Sequence, residues 1–155
     1  MDPRPLVPDD APALLPLVAG LAAHHGDACQ ATVRSLARDL SDGLVWGFGA
    51  GTPLAAYVLM QRHVRVQDGV RGVDLHHVYV APEARRRGLA ALLISAAERD
   101  AARRGCDYVV IGAHRGNEIA RDTYVAQGYE VIEATFWRFR KVLGPIMPAP
   151  ASGGR

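Results

Sequence analysis

The stretch VYVAPEARRRGLAALLISAAERD, residues Val78 to Asp100, changes character abruptly in its middle. A short apolar run is followed by three consecutive arginines and a glycine, and then by a segment rich in alanine and leucine. The last segment has an apolar face at helical spacing, formed by Leu89, Leu92, Leu93, Ala96 and Ala97. The stretch therefore predicts a strand, a basic turn around Gly88 and a helix, in that order.

A helix that begins directly after a strand can bind an anion at its first turn. Its first turn presents unpaired backbone N–H groups and a partial positive charge. Gly88 lets a ligand approach the backbone because it has no Cβ, and Arg85, Arg86 and Arg87 add charge. Each arginine opposes the helix dipole by about 0.3 to 1 kcal/mol, and a bound anion would remove that cost. The turn predicts a phosphate site, with a solvated helix start or a nucleic-acid patch as alternatives.

The flanking segments predict the fold class. Helical patterns cover residues 11–23, 32–40, 89–104 and 117–127. Strand patterns cover a hairpin at 43–64 and single strands at 72–80, 107–113 and 129–142. Thr32 is the expected cap of the second helix. This order predicts an α/β (α+β) fold with a mixed, mostly antiparallel sheet and a parallel strand-helix-strand core.

Length and composition favour one globular domain. The chain has 155 residues, of which 49% are hydrophobic and 22% are charged. We expect a single domain over residues 1–143, and a disordered tail over residues 144–155 because that segment is rich in proline, glycine and serine.

Charge and cysteine usage disfavour several classes of partner. The net charge of +2 is too small to predict a nucleic-acid partner. The apolar segment from Ala11 to Ala23 is too short to span a membrane and follows acidic residues, so no membrane partner is predicted. Cys29 and Cys106 lack the spacing of metal ligands, which predicts a reduced cytoplasmic protein without a metal. The sequence does not decide whether the protein forms a homodimer.

Two motifs resemble those of a known family. RRRGLA, Arg85 to Ala90, resembles the R/Q-x-x-G-x-G/A signature of the GNAT acetyltransferases, and it follows a strand as it does in that family. NEIARDTYVAQGYE resembles the family pattern N-x-x-A-x-x-x-Y-x-x-x-G-F/Y through Asn117, Ala120, Tyr124, Gly128 and Tyr129. The resemblance spans most of Arg4 to Val142. The tract TFWRFRKV is similar to the last strand of the diamine acetyltransferase branch.

The resemblance implies acetyl-CoA as the donor and assigns residues to it. The pyrophosphate falls on the backbone of Arg86 to Ala91, and the pantetheine arm on the main chain of Val78 and Val80. Asn117 would contact the cofactor, and Tyr124 would lie near the thioester sulfur. The predicted cofactor-binding residues are Val78, Tyr79, Val80, Arg85, Arg86, Arg87, Gly88, Leu89, Ala90, Ala91, Asn117 and Tyr124.

Acetyl transfer to an amine needs a base and an acid. A lysine-like amine with a pKa near 10.4 is neutral in only about one part in 2,500 at pH 7. His76 is the predicted base, and strand alternation places His76 and His77 on opposite faces. Asp74 and Glu133 are further carboxylates that could orient the amine. Tyr124, in its motif context, is the predicted acid because a phenol can protonate the leaving thiolate.

These residues predict an acetyl-CoA-dependent N-acetyltransferase that acts on a primary amine, of a small molecule or a protein, in a ternary complex. One alternative is a non-catalytic acetyl-CoA sensor of the same fold. Another is a nucleic-acid binder that uses the arginines, which the balanced charge disfavours.

Overall fold

The computed structural model describes residues 1–134 and 137–144 of the protein. Its helices are α1 (Ala11–His24), α2 (Val33–Ser41), α3 (Leu89–Arg103) and α4 (Glu118–Ala126). Its strands are β1 (Arg4–Pro5), β2 (Trp46–Ala50), β3 (Ala56–Arg65), β4 (Val70–Val80) and β5 (Tyr108–Ile111). The chain forms two compact units, the first over Met1–Gly112 and the second beginning at Ala113. The expected single domain over residues 1–143 stays a prediction.

The five strands form one sheet in the order β1-β2-β3-β4-β5. The first three pairings are antiparallel, and β4 pairs with β5 in parallel. Because α3 connects β4 to β5, these three elements form the parallel strand-helix-strand unit that the sequence predicts. The mixed, mostly antiparallel fold class is therefore confirmed.

The first unit has a hydrophobic core between α1, α2 and the sheet. Its buried members include Leu14, Leu17 and Val18 of α1, Leu36 of α2 and Tyr57 of β3. A fully buried leucine or valine stabilises a fold by about 1.5 to 3 kcal/mol. Within the residues described, no helix is long and apolar enough to cross a membrane.

Thr32 caps α2 as predicted. Its hydroxyl accepts a hydrogen bond from the Ser35 N–H at 3.0 Å, and the Ser35 hydroxyl accepts one from the Thr32 N–H at 2.9 Å. This reciprocal pair satisfies two backbone donors at the start of the helix.

The buried face of α3 departs from the prediction at one position. Leu89, Leu93, Ala96 and Ala97 are buried as expected, but Leu92 is 46% exposed. The buried face is centred on residues spaced by four, which places Leu92 outside it. Ile94 and Ala101 also lie in this face. The prediction for Leu92 is wrong, and α3 still packs on the sheet.

The C-terminal end of α3 is fastened to β2. The Trp46 indole N–H donates to the Asp100 carboxylate at 3.0 Å, and the Arg104 Nε–H donates to it at 2.6 Å. The Arg104 guanidinium also lies 4.9 Å from the centre of the Trp46 ring. Burial opposes ionisation of Asp100, but the hydrogen bonds from Arg104 and Trp46 outweigh it and hold the pKa of that carboxyl below its ordinary value.

Gly72 lets β5 lie close to β4. A Cβ at this position would lie 2.4 Å from the ring of Tyr108, closer than any real contact. The Tyr108 hydroxyl donates to the His63 carbonyl oxygen at 3.1 Å and lies 2.8 Å from Nδ1 of the same histidine, so the ring cannot move freely.

We expect Gly72→Ala to lower the free energy of unfolding by about 2 kcal/mol, because the added methyl group overpacks the Tyr108 ring. Urea denaturation measures the change. The double variant Gly72→Ala/Tyr108→Ala serves as the control, since removing the ring removes the clash. Equal destabilisation by Gly72→Ala in both backgrounds would contradict this explanation.

The second unit contains α4 and departs from the prediction after it. Residues 129–134 and 137–142 are in no strand, so the predicted strand over 129–142 is wrong for its described part. Trp137 is 86% exposed and Phe139 is 88% exposed. Strand propensity reflects packing on a sheet surface, and these side chains have none. Likeness to the diamine branch is therefore not confirmed. The predicted disordered tail lies, from residue 145 onwards, outside the described residues.

Candidate active site

Among the described residues, no strand pairs with one edge of β4 at its C-terminal end, which is called the open edge below. The pairing of β4 with β5 covers only Gly72–Leu75. On the other edge, the Ala81 N–H donates to the Ala55 carbonyl oxygen at 2.9 Å, and hydrogen-bonding direction alternates along a strand. The N–H and C=O groups of Tyr79 therefore point to β3, and those of Val78 and Val80 point to the open edge. This geometry suits a ligand with amide groups.

Arg85 folds back onto β4. Its Nε–H donates to the Val80 carbonyl oxygen at 3.1 Å, and its guanidinium lies 6.0 Å from the centre of the Tyr79 ring. Sequence reasoning treated Arg85 as a free charge and missed this contact, because spacing alone does not show where a long side chain turns. Arg85 therefore braces the end of the strand in addition to carrying charge.

The turn before α3 exposes a run of backbone donors. Arg86 and Gly88 have left-handed backbones, with φ of 62° and 73°. Within the described part of the chain, no group accepts a hydrogen bond from the N–H groups of residues 86–91. The first helical bond of α3 runs from the Leu92 N–H to the Gly88 carbonyl oxygen. Left-handed residues in such a turn form concave anion sites, so this turn fits a phosphate group.

The left-handed Arg86 is unusual for a residue with a side chain. Such a conformation costs about 1 kcal/mol or more outside glycine, and it is often found at binding sites. Arg86, Arg87 and Gly88 are all exposed, so the turn is open to a ligand.

His76 and His77 lie on the same side of β4, which corrects the prediction that they face opposite ways. Leu59 pairs with His77, and Gln61 pairs with Asp74, so two residues of β4 lie opposite one residue of β3. Such a bulge re-aims side chains that would otherwise alternate. The two imidazole rings accordingly stack, with centres 4.5 Å apart and planes 13° apart.

The two histidines differ in environment. His76 is exposed, whereas His77 is half-buried, and Nδ1 of His77 lies 3.3 Å from the Tyr57 hydroxyl. Burial, with smaller contributions from His76 and His25, lowers the pKa of His77 to about 4. His77 is therefore uncharged at neutral pH.

The buried His77 predicts a loss of stability in acid. Its pKa is about 6.5 in the unfolded chain, so between pH 6.5 and 4 the unfolded state binds a proton that the folded state excludes. A depression of this size corresponds to at most about 3 kcal/mol, and partial exposure reduces it to about 2 kcal/mol. We expect the protein to lose about this much more stability than His77→Gln between pH 7 and 4 in urea denaturation. Identical pH dependence of the two proteins would contradict the buried-histidine explanation.

In the second unit, the two remaining predicted site residues lie at the start of α4 and within it. The Asn117 side-chain oxygen accepts a hydrogen bond from the Ala120 N–H at 3.1 Å, which caps the helix. The amide nitrogen of the same side chain still has two donors for a ligand. Tyr124 is half-buried, and its ring centre lies 6.2 Å from that of Tyr129. Burial raises the pKa of the Tyr124 phenol above its ordinary value.

Comparison with known proteins identifies this arrangement. The model of the acetyltransferase (GNAT) family matches residues 23–129, which is more than two thirds of the chain. The chain belongs to the GNAT acetyltransferase family. The match includes the turn at Gly88, the histidine pair of β4 and all of α4. A comparison with curated proteins finds no match.

Solved structures share the GNAT fold with this chain. A ribosomal-protein-alanine N-acetyltransferase from Brucella melitensis biovar Abortus 2308 is 24% identical, with a TM-score of 0.74 over 91% of this chain and all of that one. An aminoglycoside acetyltransferase from an uncultured soil metagenomic sample, in complex with trehalose, is 16% identical, with a TM-score of 0.76 over 90% and 96% of the two chains. An aminoglycoside N-acetyltransferase in complex with CoA is 20% identical, with a TM-score of 0.71 over 91% and 95%.

Most of the predicted site residues of this GNAT chain lie between residues 76 and 91 of the first unit. β4 ends with the triplet Val78, Tyr79 and Val80, and residues 85–91 form the turn and the first residues of α3. His76 precedes the triplet, and in the second unit Asn117 caps α4 and Tyr124 lies in it. Sequence reasoning missed Tyr57, because a tyrosine within the apolar run of β3 gives no local sign that it bonds to a histidine 20 residues later.

Proposed function

We propose that the protein transfers the acetyl group of acetyl-CoA to a primary amine by direct attack in a ternary complex. The observation that carries this proposal is the run of free N–H donors at residues 86–91, directly after the open edge of β4. The fold and the family agree with it.

The cofactor would lie along β4 and the turn. The backbone groups of Val78 and Val80 would hold the pantetheine arm, and the N–H groups of residues 86–91 would hold the pyrophosphate. Arg86 and Arg87 would add charge at the solvent side, and Asn117 would donate from its free amide nitrogen. Arg85 would release the Val80 carbonyl oxygen if the arm needs that acceptor.

The proposed base is His76. A bound acetyl-CoA supplies an acetyl group activated as a thioester, and the attacking amine must be neutral. His76 is exposed, so an amine arriving from solvent can reach it, and a neutral imidazole can accept a proton. The neighbouring His77 is a weaker base, because burial lowers its pKa to about 4. It is therefore not the proposed base.

The proposed acid is Tyr124. Its assignment rests on the resemblance, and burial, which raises the pKa of the phenol, keeps it protonated at neutral pH. A buried phenol keeps its proton at neutral pH and can give it to a leaving thiolate, whose conjugate acid titrates near 8.5 if it resembles cysteine. With the base and acid on different residues, no covalent acyl intermediate is needed.

An acceptor screen tests the proposed activity. Purified protein and acetyl-CoA are incubated with amines of three classes, and release of the CoA thiol is measured. Peptides with an N-terminal alanine and aminoglycosides are included because acetyltransferases of similar fold carry those names, and diamines complete the panel. We expect one class to release CoA, and His76→Asn to reduce that release. Tight acetyl-CoA binding without release for any amine would instead indicate a sensor.

A further inference from the structure

The ring of His76 stacks on one neighbouring ring. Among the described residues, none forms a hydrogen bond with its imidazole, and its contact is the stack on His77. An exposed side chain without a hydrogen bond samples several rotamers. A base must point at the proton that it removes, and misorientation costs rate. The orientation of His76 therefore depends on what holds His77.

A residue of the hydrophobic core holds the His77 ring in place. Tyr57 is fully buried in the hydrophobic cluster that contains Leu14 and Leu59. Its hydroxyl lies 3.3 Å from Nδ1 of His77, and the two rings meet edge to face with centres 6.2 Å apart. A buried hydroxyl without a partner costs about 1 to 3 kcal/mol, so this contact resists rotation of either ring. The contact thus ties His77 to the core.

We propose that Tyr57 and His77 are positioning residues: the buried phenol fixes the His77 ring, and the His77 ring fixes the orientation of the His76 imidazole. The inference rests on the proposed role of His76 as the base. The bulge in β4 makes the arrangement possible, since it brings consecutive rings to one face.

The charge state of His77 suits this role. A base becomes a cation when it takes a proton, and a charged neighbour at 4.5 Å would oppose that step. His77 is neutral at neutral pH, because burial lowers its pKa to about 4. The titratable groups that act on it are His76 on the same strand and His25 after α1, and Tyr57 of β3 is its hydrogen-bonding partner.

Three variants separate positioning from stability. His77→Ala removes the stacked ring, His77→Phe keeps a flat ring but leaves the Tyr57 hydroxyl unpaired, and Tyr57→Phe removes only the hydroxyl. We expect His77→Ala to lower kcat about 10-fold without changing KM for acetyl-CoA, and His77→Phe to recover to within about 3-fold of the natural protein. Tyr57→Phe should fall between them.

The stability of the variants follows a different order, which identifies a positioning role. His77→Phe should melt at a lower temperature than the natural protein and yet turn over faster than His77→Ala. If activity instead follows the melting temperature across the three variants, or if His77→Ala equals the natural protein in kcat, the proposal is wrong.

A measurement without turnover keeps the two proposals distinguishable. The proton resonances of the His76 ring, assigned by their loss in His76→Asn, are displaced by the ring current of a stacked neighbour. We expect His77→Ala to remove this displacement and His77→Phe to retain it. If no amine is acetylated, the proposed function fails, and this spectrum alone decides the positioning. Unchanged His76 resonances in His77→Ala would overturn it.

Discussion

Gly88→Val is expected to weaken acetyl-CoA binding by at least about 100-fold, and isothermal titration measures the loss. Gly88 has a φ of 73°, which a β-branched residue adopts only with strain. A Cβ at Gly88 would meet no protein atom within 4 Å, so the valine side chain would occupy open space at the turn proposed to hold the pyrophosphate. The protein itself can accommodate that volume, and the ligand cannot.

A matched control separates backbone strain from blocked binding. Gly69 also has a left-handed backbone, with a φ of 67°, and a Cβ there would also meet nothing within 4 Å. It lies in the turn between β3 and β4, outside the predicted site. We expect Gly69→Val to destabilise the fold as much as Gly88→Val while leaving acetyl-CoA affinity unchanged.

Arg86→Ala defines the contribution of charge. Arg86 is exposed, so we expect its removal to weaken acetyl-CoA binding by about 10-fold or less. The alanine retains the left-handed backbone of the turn, which leaves the N–H groups in place. Should Arg86→Ala weaken binding more than Gly88→Val, the arginines and not the backbone would be the main source of recognition.

Tyr124→Phe is expected to lower kcat about 100-fold or more at neutral pH while acetyl-CoA affinity stays within a few-fold, because the loss of a general acid acts on the chemical step. Burial raises the pKa of the phenol, so the hydroxyl is protonated at neutral pH and a proton is available for the leaving thiolate. Steady-state kinetics with the best amine of the acceptor screen, together with titration of acetyl-CoA, measures both quantities.

Tyr108→Phe is the control for Tyr124→Phe. It removes a hydroxyl that bonds to His63 in the sheet, so stability should fall while kcat stays the same. Turnover by Tyr124→Phe that equals that of the natural protein would remove the acid role from Tyr124.

The sequence predicted those parts of the structure that depend on local rules. The glycine after three arginines predicts a strand, a turn and a helix, and the structure has them at β4, residues 85–88 and α3. Thr32 predicts the start of α2 because a capping side chain bonds to a residue only three positions away in the sequence, here Ser35. In the second half of the first unit, strand, helix and strand follow one another. This order predicted that β4 and β5 pair in parallel.

The remaining parts depend on partners that are distant in the chain. The bulge of β4 arises from its register with β3, and neither strand alone shows that Leu59 pairs with His77 while Gln61 pairs with Asp74. For the same reason the stacked histidines and the hydroxyl of Tyr57 could not be placed from the sequence. Leu92 is exposed because of the way α3 is rotated about its axis on the sheet. The spacing of apolar residues in α3 does not by itself determine that rotation.

The contact between Trp46 and Asp100 makes one end of α3 visible to spectroscopy. The chain has two tryptophans, and Trp137→Phe would leave Trp46 as the single indole fluorophore. Its ring is stacked by the Arg104 guanidinium and its N–H is bound to a carboxylate, so its emission should change when the helix end separates from β2. Emission of the Trp137→Phe protein during a ligand titration would therefore report whether filling the turn at Gly88 disturbs the far end of the same helix.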